Sequence, residues 1–256
     1  MENKINDFYK FNQRLIGDII PKQTALIIVD IQKYQVEKDH AAFKAINKVT
    51  PGLFDYFVVE VRNVVIPNLR RLIDFCHKVE IPVIYTKFSS FMTDGSDLTK
   101  GIKFLNNFSK NLVGEVAFPY IGHHSSEIID ELKPEVRDIV IQKNTSGAFM
   151  STRLEIILKN MDIETLLITG VVTNFCVYAT AQEAADYGFQ SIIVDDCCAA
   201  WSPEIHKAAL KSYGLLTGYV LPYEKVIKKS QKRQERLKKK WLSIERKFEE
   251  KGKFSV

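Results

Sequence analysis

Three residues that are far apart in the chain, Asp30, Lys143 and Cys176, each stand where a short apolar run gives out, and their side chains carry complementary chemistry. A deprotonated thiol attacks carbonyl carbon. An aspartate beside it can accept the thiol proton, and a lysine beside that aspartate keeps it ionised and offsets charge as the thiolate forms. Together the three describe nucleophilic cleavage of an amide. Singly each has an ordinary reading: Asp30 as the cap of the next turn, Lys143 as a surface charge at a strand end, Cys176 as a small buried core residue.

The surroundings of Cys176 are the most telling. The run ETLLITG (164–170) is apolar and closed by glycine, and VYATAQEAADYG (177–188) is alanine-rich with a terminal glycine, so the segment reads as strand, tight turn and capped helix. A thiol in the first helical turn feels the positive end of the helix dipole and unpaired N–H groups. That placement predicts a favoured thiolate and a cradle for an oxyanion.

Elements that position such residues recur along the chain. The runs 24–30, 81–87, 138–143, 164–170, 190–195 and 216–221 read as buried parallel strands, and 61–79, 125–133, 151–161, 177–188 and 202–214 as helices between them. Residues 1–20 read as an added N-terminal helix and 33–60 as a loop-plus-helix insertion. The alternation predicts an α/β fold, a single three-layer Rossmann-like domain with a six-stranded parallel sheet and helices on both faces. In such a sheet, functional groups gather at the carboxyl ends of the strands, where Asp30, Lys143 and Cys176 all fall.

Composition bounds the function. With 256 residues, 46% of them hydrophobic, the chain can bury one sizeable core. No apolar run is long enough to span a bilayer and the polar start MENKINDFYK is unlike a signal peptide, which predicts a cytoplasmic protein. Cys76, Cys176, Cys197 and Cys198 have neither zinc-type spacing nor a disulfide pattern and read as reduced. The net charge of +5 belongs to the tail: residues 224–256 hold thirteen Lys and Arg against five Glu, leaving about −3 for 1–223. Within that tail Leu237, Trp241, Ile244 and Phe248 share one helical face. The division is therefore a hydrolase-type domain over 1–223 and a basic amphipathic C-terminal helix over 224–256. The stripe reads as a packing surface between subunits of a homo-oligomer, and nothing elsewhere interleaves aromatic and basic residues for nucleic acid.

Asp30 in IIVDIQ, Lys143 in VIQKNTSGAF and Cys176 in GVVTNFCVYATAQEAADYG resemble, in order and setting, the Asp-Lys-Cys triad of the isochorismatase-like cysteine hydrolases, over residues 22 to 222. The resemblance implies a cis peptide between Val171 and Val172 and an oxyanion hole made by the amides of Val172 and Cys176. It also implies a thioester mechanism in which Asp30 takes the thiol proton and returns it to the leaving nitrogen. Nicotinamidases of this family bind a metal through an Asp-x-His element and a further His after the second strand. Here that region reads YTKFSSFMTDG, without histidine, so no metal or other cofactor is expected. The match is closest to the ureidoacrylate, biuret and N-carbamoylsarcosine amidohydrolases, which implies a small amide or ureide substrate and a dimer or tetramer. The alternatives are a nicotinamidase-like or isochorismatase-like hydrolase, and a catalytically silent binding or assembly module.

Further substrate-binding candidates are Gln32, Tyr34, Phe149, Thr173 and Asn174. Gln32 stands two residues past Asp30, with loop bracing as its other reading, and Phe149 is either a pocket wall or core. Relatives carry an aromatic five residues after the aspartate, where this chain has Gln35 with Tyr34 beside it. His123 and His124 read as loop residues, His206 as a structural histidine on a helix, and Asp195 and Asp196 as helix caps at the end of the fifth strand.

Overall fold

The computed structural model describes residues 2–231, and the apolar stripe at Leu237, Trp241, Ile244 and Phe248 lies outside them. Six strands form one parallel sheet: β1 (Thr24–Val29), β2 (Val83–Phe88), β3 (Ile139–Lys143), β4 (Thr165–Val171), β5 (Gln190–Ala199) and β6 (Tyr219–Leu221), in the spatial order β3-β2-β1-β4-β5-β6. The order reverses direction between β1 and β4, and the crevice that opens there at the carboxyl ends is where open α/β sheets bind ligands.

Helices α1 (Glu2–Arg14), α2 (Lys33–Val36), α3 (Ala41–Val49), α4 (Asp55–Glu60), α5 (Ile66–Lys78), α6 (Lys100–Val113), α7 (Leu154–Asn160), α8 (Tyr178–Asp186) and α9 (Pro203–Leu216) surround the sheet. Strand alternation splits the core into two layers. Leu26 and Ile28 pack toward Leu69, Leu72 and Ile73 of α5, whereas Ala25, Ile27 and Val29 pack toward α7, α8 and α9 through Leu158, Ala181 and Leu210. The joint between α4 and α5 is a π-helical turn over Val61–Val65. It precedes Pro67, which has no N–H to offer the preceding turn, so a widened turn is the accommodation expected there. Among the described residues no helix is long and apolar enough to cross a membrane.

Three elements depart from the sequence-based expectation. Segment 125–133 is not a helix but two short 3₁₀ turns, His124–Ser126 and Asp130–Leu132, joined by extended chain. That chain is claimed by the loop after β1: Lys33 N–H donates to Glu127 O at 2.9 Å and Ile129 N–H to Ile31 O at 3.2 Å. Helix α6 was unforeseen, although Thr99 caps its start through Ile102 N–H and Gly114, at φ 82°, ends it. Strand β5 runs four residues beyond Asp195, because the pairing with β4 slips between Ile168–Ile193 and Gly170–Cys198, a bulge that re-aims the strand toward the crevice.

At the floor of the crevice β1 and β4 approach closely. Gly170 has φ 102°, and a Cβ there would lie 2.1 Å from the Val29 carbonyl oxygen. Gly188 has a similar φ of 87° but open space around it. Gly170→Ala is therefore expected to cost more than about 3 kcal/mol, strain plus overpacking, against about 1 kcal/mol for Gly188→Ala. Urea unfolding of the two variants measures the difference, and equal losses would refute the close approach.

Candidate active site

Asp30 follows β1 directly and adopts φ 51°, a left-handed conformation that short polar side chains tolerate best. Its backbone N–H donates to Thr86 O at 3.1 Å, and Thr86 Oγ1 donates to Asp30 Oδ1 at 2.8 Å. Thr86 lies in β2 beside Val29 in the sheet register, so strand pairing itself sets the carboxylate. Lys143 ends β3, two strands from β1 and hence about 10 Å across the sheet, a span the lysine stem covers. Its Nζ meets Asp30 Oδ2 at 2.6 Å and donates to the carbonyls of Thr145 at 2.9 Å and Ser146 at 3.0 Å.

Both side chains of this pair are 0% exposed. A buried pair of this kind holds only while both partners remain, and removal of either leaves a charge whose burial costs about 3–5 kcal/mol. Burial is the largest single influence on Lys143 and lowers it, yet the charge of Asp30 together with the contacts to Asp30 and Cys176 lifts the ammonium above the ordinary lysine range. Asp30 Oδ2 makes no directed hydrogen bond besides that ionic contact, which leaves a lone pair open to a third group. The loop supplying the two carbonyls is braced by α8: Glu183 Oε2 accepts from Phe149 N–H at 2.8 Å, and Gly147 lies so near that a Cβ would be 2.2 Å from the Glu183 carboxylate.

Cys176 enters from β4 through the cis peptide Val171–Val172 and a π-helical turn over Thr173–Val177 that leads into α8. The amides on either side of it, Phe175 at 3.0 Å and Val177 at 3.3 Å, both donate to the Val172 carbonyl, which fixes the turn. The thiol interacts with both Asp30 and Lys143. Burial pushes it up to about 12; Lys143 pulls down and Asp30 pushes further up. This direction runs against the favoured thiolate expected from the helix start, since desolvation exceeds what the lysine returns. Cys176 rests as a neutral thiol facing a base.

A cavity of about 210 Å³ opens onto Cys176 and Val172. Tyr34, only 3% exposed, forms one wall with Phe118 and Phe88, whose rings meet edge to face at 5.7 Å spacings. Phe175 and Trp201, with ring centroids 5.5 Å apart, form the other. Of the five further candidates, Tyr34 alone lines this cavity. Gln32 is spent on the loop: Nε2 donates to Phe88 O at 3.1 Å and Ser126 O at 2.7 Å, and Oε1 accepts from Phe88 N–H at 2.8 Å. Phe149 is core, stacked on Tyr187 at 5.2 Å and packed near Phe189. Thr173 is buried with its hydroxyl 2.9 Å from His206 Nδ1, and Asn174 lies outside the cavity lining.

The sequence reading missed Thr86, Phe118, Phe175, Trp201 and the two α6 residues Ile102 and Leu105. Thr86 was findable as the residue beside the end of β1; Trp201 was hidden by the strand break read at Asp195. Where metal-binding relatives carry histidine after the second strand, Lys87 pairs with Glu127 at 2.7 Å. His123 and His124 lie in the neighbouring loop with His40, their rings 4.4 Å and 6.0 Å from that of His124. Among the described residues no group of three or more His, Cys, Asp or Glu is arranged to hold a metal ion.

Comparison with known proteins places these residues in context. The Isochorismatase domain family model matches residues 24–225. The ureidoacrylate amidohydrolase RutB of Acinetobacter baylyi is 29% identical over 216 residues, covering 79% of this chain and 81% of its own. Nicotinamidase 3 of Arabidopsis thaliana is also 29% identical, over 63% of this chain and 77% of its own. Among solved structures, a cysteine hydrolase from Pseudomonas syringae pv. phaseolicola superposes with a TM-score of 0.69 at 21% identity, covering 85% of this chain and 96% of that one. The N-carbamoylsarcosine amidase of Thermoplasma acidophilum superposes at 0.54 and 24% identity, over 78% and 96%. These structural likenesses establish the fold.

The neutral resting thiol has a kinetic signature. Alkylation of Cys176 by iodoacetamide should rise about tenfold per pH unit from pH 7 to 10 without a plateau, since the thiolate fraction grows at that rate below the pKa. Asp30→Asn, which removes the charge pushing the thiol up, should speed alkylation at pH 8, and Lys143→Met should slow it. Peptide mapping by mass spectrometry gives the rates; a plateau near pH 7 in the unmodified protein would show a resting thiolate instead.

Proposed function

The chain belongs to the isochorismatase family, and from that premise we propose that it is a cysteine amidohydrolase, cleaving the C–N bond of a small amide or ureide through a thioester. The observation that carries this reading is the joining of a buried Asp30–Lys143 pair to a half-buried Cys176, from three separate strand ends, in one cluster beside a cavity. A silent binding module has no use for a buried ion pair aimed at a thiol. The amidohydrolase names of relatives such as RutB support the reaction class.

In the proposed cycle the open lone pair of Asp30 Oδ2 takes the thiol proton as Sγ attacks the carbonyl carbon. The amides of Val172 and Cys176 receive the developing oxyanion. The protonated Asp30 then gives its proton to the departing nitrogen, the C–N bond breaks, and ammonia or an amine leaves. Water enters, Asp30 takes one of its protons, and hydroxide attack on the thioester releases the acid while the proton returns to Sγ. Lys143 stays cationic throughout and holds the carboxylate in place while its charge comes and goes. No metal or organic cofactor enters the scheme. A homo-oligomeric assembly, dimer or tetramer, is proposed with it.

Ammonia release from a panel of small amides and ureides tests the proposal. Cys176→Ala and Asp30→Asn should each lower kcat by about 10³-fold or more while melting temperature confirms folding. Rapid denaturation during turnover should trap an acyl adduct on the Cys176 peptide of the unmodified protein. Persistent ammonia release by Cys176→Ala would end the cysteine mechanism.

A further inference from the structure

Among the described residues no charged side chain lines the cavity beside Cys176. Its walls are the aromatic groups of Tyr34, Phe88, Phe118, Phe175 and Trp201, closed by Ile102 and Leu105 from α6, and besides the Tyr34 hydroxyl and the Cys176 thiol its side-chain polar groups are the amide of Gln35, the hydroxyl of Ser146 and the indole N–H of Trp201, all uncharged. The Tyr34 hydroxyl is already committed, donating to Phe88 O at 3.4 Å and accepting from Gln35 Nε2 at 3.1 Å. Burial, and then the charge of Asp30, hold that phenol well above its ordinary range, so it stays neutral.

Among the described residues the cation of the site is Lys143, and its donors are turned toward its own cluster. An ammonium has three N–H donors. They are accounted for by Asp30 Oδ2 at 2.6 Å and the carbonyls of Thr145 and Ser146 at 2.9 and 3.0 Å. Its other neighbours are the Cys176 thiol and the Phe88 ring, 5.1 Å from Nζ. A substrate carboxylate placed in this cavity would lose its hydration without gaining a charged partner, a cost of several kcal/mol at least, and would sit beside the negative charge of Asp30.

Size narrows the choice further. An apolar cavity of about 150 Å³ accepts a benzene ring, so 210 Å³ admits one ring or a branched alkyl group together with a carboxamide. The exposed lining residues are Phe175, 47%, and Leu105, 36%, both apolar, and the uncharged Ser146.

We infer that the substrate is an uncharged primary carboxamide whose acyl group is a single carbocyclic ring or a compact branched alkyl chain, and that carboxylate-bearing ureides are excluded. This rests on the cysteine-amidohydrolase reading above. The overall reaction is RCONH₂ + H₂O → RCOO⁻ + NH₄⁺: the Sγ–C bond forms as the C–N bond breaks, the thiol proton leaves on nitrogen, and water supplies the oxygen of the acid. The product acid carries the charge that the cavity rejects, which favours its departure.

The test compares kcat/KM for benzamide, phenylacetamide and isovaleramide with those for ureidoacrylate, N-carbamoylsarcosine and N-carbamoyl-β-alanine, by ammonia release. The apolar amides should exceed the carboxylates by about 100-fold. Leu105→Arg, at an exposed position of the lining, places a cation there and should shift the ratio toward the carboxylates by about tenfold, with folding checked by melting temperature. Equal or better turnover of a carboxylate-bearing ureide by the unmodified protein overturns the inference. In parallel, p-nitrophenyl acetate serves as a general acyl donor, with intact mass read after quenching. Acetylation of Cys176 without turnover of the apolar amides overturns this inference and leaves the cysteine reading standing; failure of every acyl donor and amide to modify Cys176 overturns both.

Discussion

The buried pair of Asp30 and Lys143 is the constraint around which the rest of this fold is arranged. Two charges that are both 0% exposed can persist at the end of a hydrophobic sheet only if each lone pair and each N–H is used or deliberately left open. The surrounding structure meets that demand with groups from three strands and a loop. Thr86 fills Oδ1, the carbonyls of Thr145 and Ser146 fill two lysine donors, and Glu183 braces the loop that carries them. The lone pair left open belongs to Oδ2, on a carboxylate that interacts with the cysteine. A stability-minded core would have replaced the pair with apolar side chains, so its cost is a sign of use.

How much of this was legible in the sequence depends on the scale of the signal. Apolar runs of six to seven residues, most of them closed by a polar or glycine residue, carried the six strands and the ends of β1, β3 and β4, and with them the convergence of Asp30, Lys143 and Cys176. Helix α6 was not seen because its buried face includes Asn106 and Ser109, which break the apolar period. Those two polar side chains are buried for bonding: Asn106 exchanges two hydrogen bonds with the Phe118 backbone, and Ser109 donates to Ala41 O. Periodicity reads such residues as solvent-facing. Since α6 supplies Ile102 and Leu105, losing the helix also meant losing one side of the cavity.

A second kind of error came from reading a polar pair as an ending. Asp195 and Asp196 interrupt the apolar run of β5, yet the strand continues through its bulge to Ala199 and delivers Trp201 to the cavity. Asp196 is held by Tyr223 N–H at 2.8 Å, a contact with the chain after β6 that no local pattern announces. The same limit applies to Gln32 and Phe149. Residue type and proximity to a catalytic group were known, but whether a side chain faces the cavity or the loop behind it is settled by partners roughly a hundred residues away, such as Ser126 for Gln32.

The protonation state of Cys176 shows how these constraints combine into chemistry. Proximity to a helix start suggested a thiolate, but the thiol is pushed up to about 12 by the burial that also makes the cavity dry. A resting thiolate would have placed a second negative charge beside Asp30 in a volume where Lys143 already balances one. The neutral thiol keeps the resting cluster at one carboxylate and one ammonium, net zero, and the proton that must reach the leaving nitrogen is already on board. When Asp30 takes that proton during attack, negative charge passes from the carboxylate through the sulfur toward the carbonyl oxygen while Lys143 remains fixed at the same place. The cluster therefore starts each half of the reaction with the same total charge, which suits a site whose ion pair is fully buried and whose cavity is lined by aromatic rings.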